Sequence, residues 1–196
     1  ATVGAVLMIL SEKNKMKAED YLIFERSSEL RHEFVDGAIF SMAGASKKHN
    51  QISSNLVRMI GNDLLKKPCN IYSSDMRVKN KNVEKYSYPD VVVSCYDENF
   101  EDEEEDTLLN PIMIIEILSD STEAYDRGDK FFYYRQIESF IEYILVSQKS
   151  CHVEKYNRQS DNTWLFSEFK VMDDIVELTS INSRLSLRET YDKVKI

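Results

Sequence analysis

The chain has 196 residues, 42% hydrophobic and 11% aromatic, enough to fill the core of one domain and too much for global disorder. Its net charge of −9 argues against binding nucleic acid through overall electrostatics, but eight of the acids fall in one run, "DENFEDEEED" at 97–106, and the rest is near −1. No apolar run approaches the length of a bilayer span, which predicts no membrane association. Cys69, Cys95 and Cys151 are widely spaced without a CxxC pair, which predicts free thiols in a reducing cytoplasm and no structural zinc site.

In chain order, the opening "ATVGAVLMIL" lacks a basic stretch before it and a clear cleavage site after it, so it reads as a strand or loose terminus rather than a signal peptide. The reading treats residues 1–17 as an N-terminal extension and 18–196 as a single domain. "MKAEDYLIF" reads as a short helix with its acids early, and "HEFVDGAIFSM" as a hairpin turning on Asp36-Gly37. A helix follows, with Ile52, Leu56, Ile60 and Leu64 at i+4 on its buried face and Ser46 as N-cap.

"CNIYSSDMRVKN" and "YSYPDVVVSC" flank a polar turn and should pair as a second hairpin. The acidic run should be an exposed loop leading to "PIMIIEILS", a continuous aliphatic run of the kind covered on both faces. "AYDRGDKFFYYRQI" reads as helical from about Asp126, and its aromatics read as core packing rather than a docking face. "FIEYILVSQ", "CHVEKYNRQ" and "TWLFSEFKV" read as three further strands. Helices first, strands through the middle, then a helix and more strands predict an α/β fold, a mixed sheet with helices packed on it.

Two carboxylates stand inside these apolar strands: Asp90 in "YPDVVV" and Glu116 in "IMIIEIL". Alternation places Ile114, Glu116 and Leu118 on one face and Ile115 and Ile117 on the other, and puts Asp90 on the face of Val92. If the strands are neighbours, the acids converge and repel unless a cation or proton lies between them; a hard divalent cation meets that need. A plainer alternative is that Asp90 meets a backbone amide or an arginine at the start of its strand while Glu116 pairs with a lysine. Lys130, with Asp126 one turn before it on the same helical face, is positioned to reach the carboxylates, or else forms an ordinary solvated pair.

"RHEFVDGAIFSMAGASKKHNQISSNL", "YSSDMRV", "YPDVVV", "NPIMIIEILSDSTEAYDRGDKFFYYRQI" and "EYILVSQ" together resemble the Uma2 family, also called DUF820, over about residue 18 to the end. The resemblance implies the PD-(D/E)XK nuclease superfamily: a restriction-endonuclease-like mixed β-sheet flanked by helices, here with additional hairpins, that hydrolyses phosphodiester bonds with Mg2+ or Mn2+. On that footing Pro89-Asp90 matches PD and Glu116 the second acid, so Asp90 and Glu116 would hold the metal. The superfamily's lysine would fall on Leu118; Lys130 stands in its place. Glu33 matches a family position as a third acid on the metal side or a strand-edge charge. His49 would contact phosphate, shuttle a proton, or merely cap its helix. Asp75 would accept hydrogen bonds that orient the site.

The implied function is a metal-dependent endonuclease, with nucleic acid, in the first instance DNA, as its partner, and a homodimer if both strands of a duplex are cut. Lys47, Lys48, Lys79, Lys81, Lys85 and Arg127 are the candidate phosphate contacts or ordinary surface. The chief alternative is a degenerate nuclease fold serving as a binding or regulatory module. A two-carboxylate glycosidase is disfavoured because Trp164 is the only tryptophan to line a sugar cleft.

Overall fold

The computed structural model describes residues 15–196; the expectation for "ATVGAVLMIL" falls outside them. Helix α1 (Ala18–Ser27) carries Glu19 and Asp20 in its first turn, where acids complement the helix dipole, and buries Tyr21, Leu22 and Glu25. Strands β1 (His32–Val35) and β2 (Ala38–Ser41) form the expected hairpin. Its turn residues Asp36 and Gly37 have φ of 45° and 88°, the left-handed pair that a tight hairpin requires. Helix α2 (Lys47–Leu64) starts at Ser46, whose hydroxyl accepts the backbone N–H of His49, and buries Ile52, Leu56, Ile60 and Leu64.

The second hairpin forms, but it bends between two sheets. Its near ends, β4 (Arg77–Asn80) and β5 (Lys85–Ser87), join a five-stranded sheet in the order β2-β1-β5-β4-β7, where β7 is Thr107–Leu108. Its far ends, β3 (Cys69–Ser73) and β6 (Val91–Cys95), pair in a six-stranded sheet. Both arms break at the same level, at the Ser74-Asp75 turn and at Pro89, which cannot donate to a ladder. The break leaves Asp90 at the mouth of the six-stranded sheet.

That sheet runs β11-β10-β9-β8-β6-β3, with β8 (Met113–Leu118), β9 (Glu142–Ser147), β10 (Val153–Arg158) and β11 (Trp164–Phe169). β8 and β9 are parallel, and every other neighbouring pair is antiparallel, so the sheet is mixed. All six residues of β8 are buried, as its unbroken aliphatic run requires. α2 packs on one face over Val91, Val93, Ile115, Ile117, Ile144 and Val146, beside the hairpin β12 (Ile175–Leu178) and β13 (Ser183–Ser186) and the short helix α5 (Leu187–Thr190). The other face carries Val92, Ile114, Leu118, Tyr143 and Leu145 beneath Tyr134, Ile137 and Phe140.

The covering segment on that second face begins three residues earlier than expected. It runs as α3 (Glu123–Tyr125), a π-helical turn (Asp126–Lys130) and α4 (Phe131–Tyr134). Its aromatics are core elements, with Phe131 stacked on Tyr143 at 5.4 Å and Tyr134 buried.

Two expectations need correction. Cys69 and Cys95 are not free: they stand opposite each other across β3 and β6 and form a disulfide, leaving Cys151 as the free thiol. Cysteine spacing therefore gives no support to a reducing compartment; strand register, invisible in the sequence, made the pair. The acidic run is also less solvated than expected. Arg26 holds Asp102 and Asp106, Arg77 also meets Asp106, Lys79 and Tyr86 meet Glu101, and Tyr72 meets Glu98. Only Asp97 and Glu103 to Glu105, together with Asp102, remain exposed in the run's acids.

Candidate active site

The register of β6 and β8 sets Val91 opposite Ile115, so Asp90 and Glu116 face each other across the ladder. The Asp90 N–H donates to Glu116 Oε2 at 3.3 Å. Asp90 Oδ2 accepts the Ile117 N–H at 2.7 Å, and Oδ1 meets His49 Nε2 at 2.9 Å. The backbone-amide alternative thus holds for one oxygen of Asp90, while the other is turned toward the first turn of α2. Glu116 lies on the face of Ile114 and Leu118 and is 2% exposed.

Lys130 reaches this acid from above. Its ammonium donates to Glu116 Oε1 at 3.1 Å, and lies 3.3 Å from Asp126 Oδ1 and 3.4 Å from Glu33 Oε1. A π turn is a frequent feature of functional sites, and here it sets Asp126 and Lys130 toward the same buried point. Lys130 thus reaches Glu116 from a later segment of the chain, while position 118 is a leucine. Glu33 comes from β1 in the other sheet, so the site closes the seam between the two sheets.

Two tyrosines absent from the sequence reading, and Lys85, read there as a phosphate contact or ordinary surface, complete the cluster. The Tyr134 hydroxyl donates to Glu116 Oε1 at 3.1 Å. Tyr125 donates to Glu33 Oε2 at 3.0 Å, and Lys85 donates to the Tyr125 hydroxyl at 2.6 Å. Asp126, Lys130 and Tyr134 recur every four residues, a helical stripe that could have revealed the tyrosine; Lys85 and Tyr125 carry no such signal.

The electrostatics are those of a site short of positive charge. Burial pushes the Glu116 carboxyl well up; Lys130 opposes this, while Asp126, Asp90 and Glu33 add to it. Burial also raises Asp126, again against Lys130. Burial pulls the Lys130 ammonium down, but Glu116, Glu33, Tyr134 and Asp126 outweigh it and hold the lysine well above its ordinary value. The cluster thus favours the charged form of Lys130, whereas burial and three neighbouring acids oppose the charged form of Glu116. Burial lowers Lys85 to about 8. Glu33 Oε1 and Asp126 Oδ1 are buried and accept no hydrogen bond. Three carboxylates, Glu33, Glu116 and Asp126, surround the Lys130 ammonium, and Asp90 abuts Glu116 through its backbone N–H; this set of oxygen donors suits a hard divalent cation such as Mg2+ or Mn2+.

Asp75 is not brought to the cluster: it sits on the exposed turn between β3 and β4 and pairs with Arg31 at 3.1 Å. Of the candidate phosphate contacts, Lys79 is tied to Glu101, Lys85 is buried, and Arg127 holds Glu154 at 2.6 Å, whereas Lys47, Lys48 and Lys81 are exposed. A second group, His152 just before β10 with Glu154 of β10 and Glu168 of β11, has spacing compatible with metal ligation. There the Arg127 guanidinium already occupies Glu154. Among the described residues, no helix is long and apolar enough to cross a membrane.

Comparison with known proteins agrees with this architecture. The chain is similar to a crystal structure from Anabaena variabilis described as "a putative nuclease belonging to DUF820", with a TM-score of 0.76 over 92% of this chain and 99% of that one; at 18% identity the likeness is one of fold. Two uncharacterized proteins of Synechocystis sp. are each 35% identical: slr1290 over 90% of this chain and 92% of its own length, and sll1609 over 83% and 92%. Residues 18–188 match the family "Uma2: Putative restriction endonuclease". With these matches spanning nearly its whole length, the chain belongs to the Uma2 family.

Proposed function

We propose that the protein is a divalent-metal-dependent endonuclease that hydrolyses phosphodiester bonds in nucleic acid, with DNA as the substrate and Mg2+ or Mn2+ as the ion. The observation that carries this reading is the return of Lys130 to Glu116 at 3.1 Å from a segment beyond the strand, restoring an acid–acid–lysine centre that the linear motif lacks. Asp90 and Glu116 would hold the ion, from opposite positions on β6 and β8. When bound, such an ion supplies an activated water and offsets charge growing on the phosphate.

The chain's own groups divide the remaining work. Lys130, held at Glu116, would place a fixed positive charge beside the reacting phosphate, where charge develops in the transition state. Asp126 and Glu33 keep that ammonium from swinging away, and Tyr134 fixes the rotamer of Glu116. His49 orients Asp90 through Oδ1 and is more exposed than Lys130, so it would be the group to meet a phosphate oxygen from the open side. The exposed Lys47 and Lys48 precede it in the first turn of α2 and would be further phosphate contacts. One centre per chain implies a homodimer for cutting both strands of a duplex.

The test is a plasmid-nicking assay in Mn2+ beside thermal melts. Wild type should nick and its melt should rise with Mn2+, while Asp90→Ala should fold, fail to nick and show no Mn2+ shift. A wild-type melt indifferent to Mn2+, with no nicking, would refute the reading.

A further inference from the structure

We infer that Lys85 and Tyr125 are positioning residues of this centre: together they lock Glu33 in the orientation that presents its free oxygen to Lys130. The inference rests on the nuclease reading. Hydrogen-bond polarity carries it. An ammonium has donors and no acceptor, so the 2.6 Å bond from Lys85 Nζ occupies a lone pair of the Tyr125 oxygen. The hydroxyl proton is left to point at Glu33 Oε2, 3.0 Å away. With Oε2 engaged in this way, Oε1 is the oxygen that faces Lys130 at 3.4 Å, buried and without a hydrogen bond of its own.

Lys85 is held for this task. It is 1% exposed on β5, with Nζ 4.2 Å from the ring centroid of Tyr133 and 4.7 Å from that of Tyr125. The Tyr133 ring and the Tyr125 hydroxyl hold the ammonium without a direct carboxylate partner, so its polarity is spent on Tyr125. Tyr125 lies immediately before the π turn that carries Asp126 and Lys130, so the same contacts tie that turn to β5 and β1 of the five-stranded sheet. Lys85 and Tyr125 thus act on Lys130 through Glu33 and touch no substrate.

The test measures nicking kinetics at saturating Mn2+ for Tyr125→Phe, Lys85→Met and the double variant, each with its thermal melt. Tyr125→Phe removes one hydroxyl and Lys85→Met keeps the length of the side chain, so both should fold. Each single change should lower kcat about tenfold with KM changed less than about twofold, and the double variant should lose no more than the worse single, because both act through one chain of contacts. Unchanged kcat in both single variants, or losses that multiply in the double, would overturn the inference while leaving the nuclease reading intact. Failure of the wild type itself to nick would overturn both.

Discussion

Replacing Lys130 by methionine removes a cation that touches three buried carboxylates, Glu116 at 3.1 Å, Asp126 at 3.3 Å and Glu33 at 3.4 Å. Methionine fills the same space, so little packing is lost and the change is mainly one of charge. Stripping the partner from a buried ion pair costs about 3–5 kcal/mol, because a buried charge is left uncompensated. In a protein of this size that is a fall of roughly 6–20 °C in Tm, at about 2–4 °C per kcal/mol. Glu116→Gln is the control that makes the figure meaningful. Glutamine keeps an acceptor for Lys130 and Tyr134 and gives up the long 3.3 Å bond from the Asp90 N–H, Lys130 keeps Asp126 and Glu33, and an acid whose charge burial and its neighbours oppose is gone. Its metal-free stability should therefore stay within about 1 kcal/mol of wild type, or rise, as replacing a strained buried charge allows. Urea or thermal unfolding of the three proteins in chelator measures both effects. Equal losses for the two variants, or a Lys130→Met protein as stable as wild type, would refute the view of Lys130 as the electrostatic hub.

Other consequences concern the rest of the molecule. Glu142, wholly buried, accepts from Lys155 at 2.8 Å, from the Thr179 N–H and hydroxyl at 3.0 and 2.9 Å, and from the Ser180 N–H at 3.0 Å, so Glu142→Ala should cost about 3–5 kcal/mol in urea unfolding without altering Mn2+ binding. Burial pushes this carboxyl up, but Lys155 and Ser180 prevail and its pKa is depressed. Its stabilisation is accordingly present above the ordinary glutamate value of 4.5 and lost as pH falls below it; the stability gap between wild type and Glu142→Gln should narrow from pH 7 toward acid. In the acidic run, neutralising the exposed Glu103, Glu104 and Glu105 should leave Tm unchanged and strengthen non-specific DNA binding at low salt, measured by fluorescence anisotropy. Asp106→Asn should instead lower Tm, because the buried Arg77 loses its anion.

Local chemistry along the chain was sufficient for much of this protein. The i+4 stripe of α2 and its Ser46 cap, the Asp36-Gly37 turn and the buried run of β8 are each determined within a few residues, by helical period, positive φ and aliphatic content. Strand alternation likewise put Glu116 on the face where it stands, and spacing put Asp126 and Lys130 on one side of their helical turn. Contacts set by register and by the meeting of the two sheets depended on the tertiary structure. Asp90 meets Glu116 because β6 and β8 pair with Val91 opposite Ile115, and Cys69 meets Cys95 for the same kind of reason on the other side of β6. Glu33, Tyr125 and Lys85 converge from β1, the end of α3 and β5, elements separated by tens of residues whose approach no local pattern encodes. The acidic run, judged by its charge alone, looked solvated; Arg26, Arg77 and Lys79 approach it only once α1 and β4 are folded against it. Residue type and period determine which face a side chain occupies, whereas the partner it finds there depends on how distant strands align, and that is decided by burying the whole core at once.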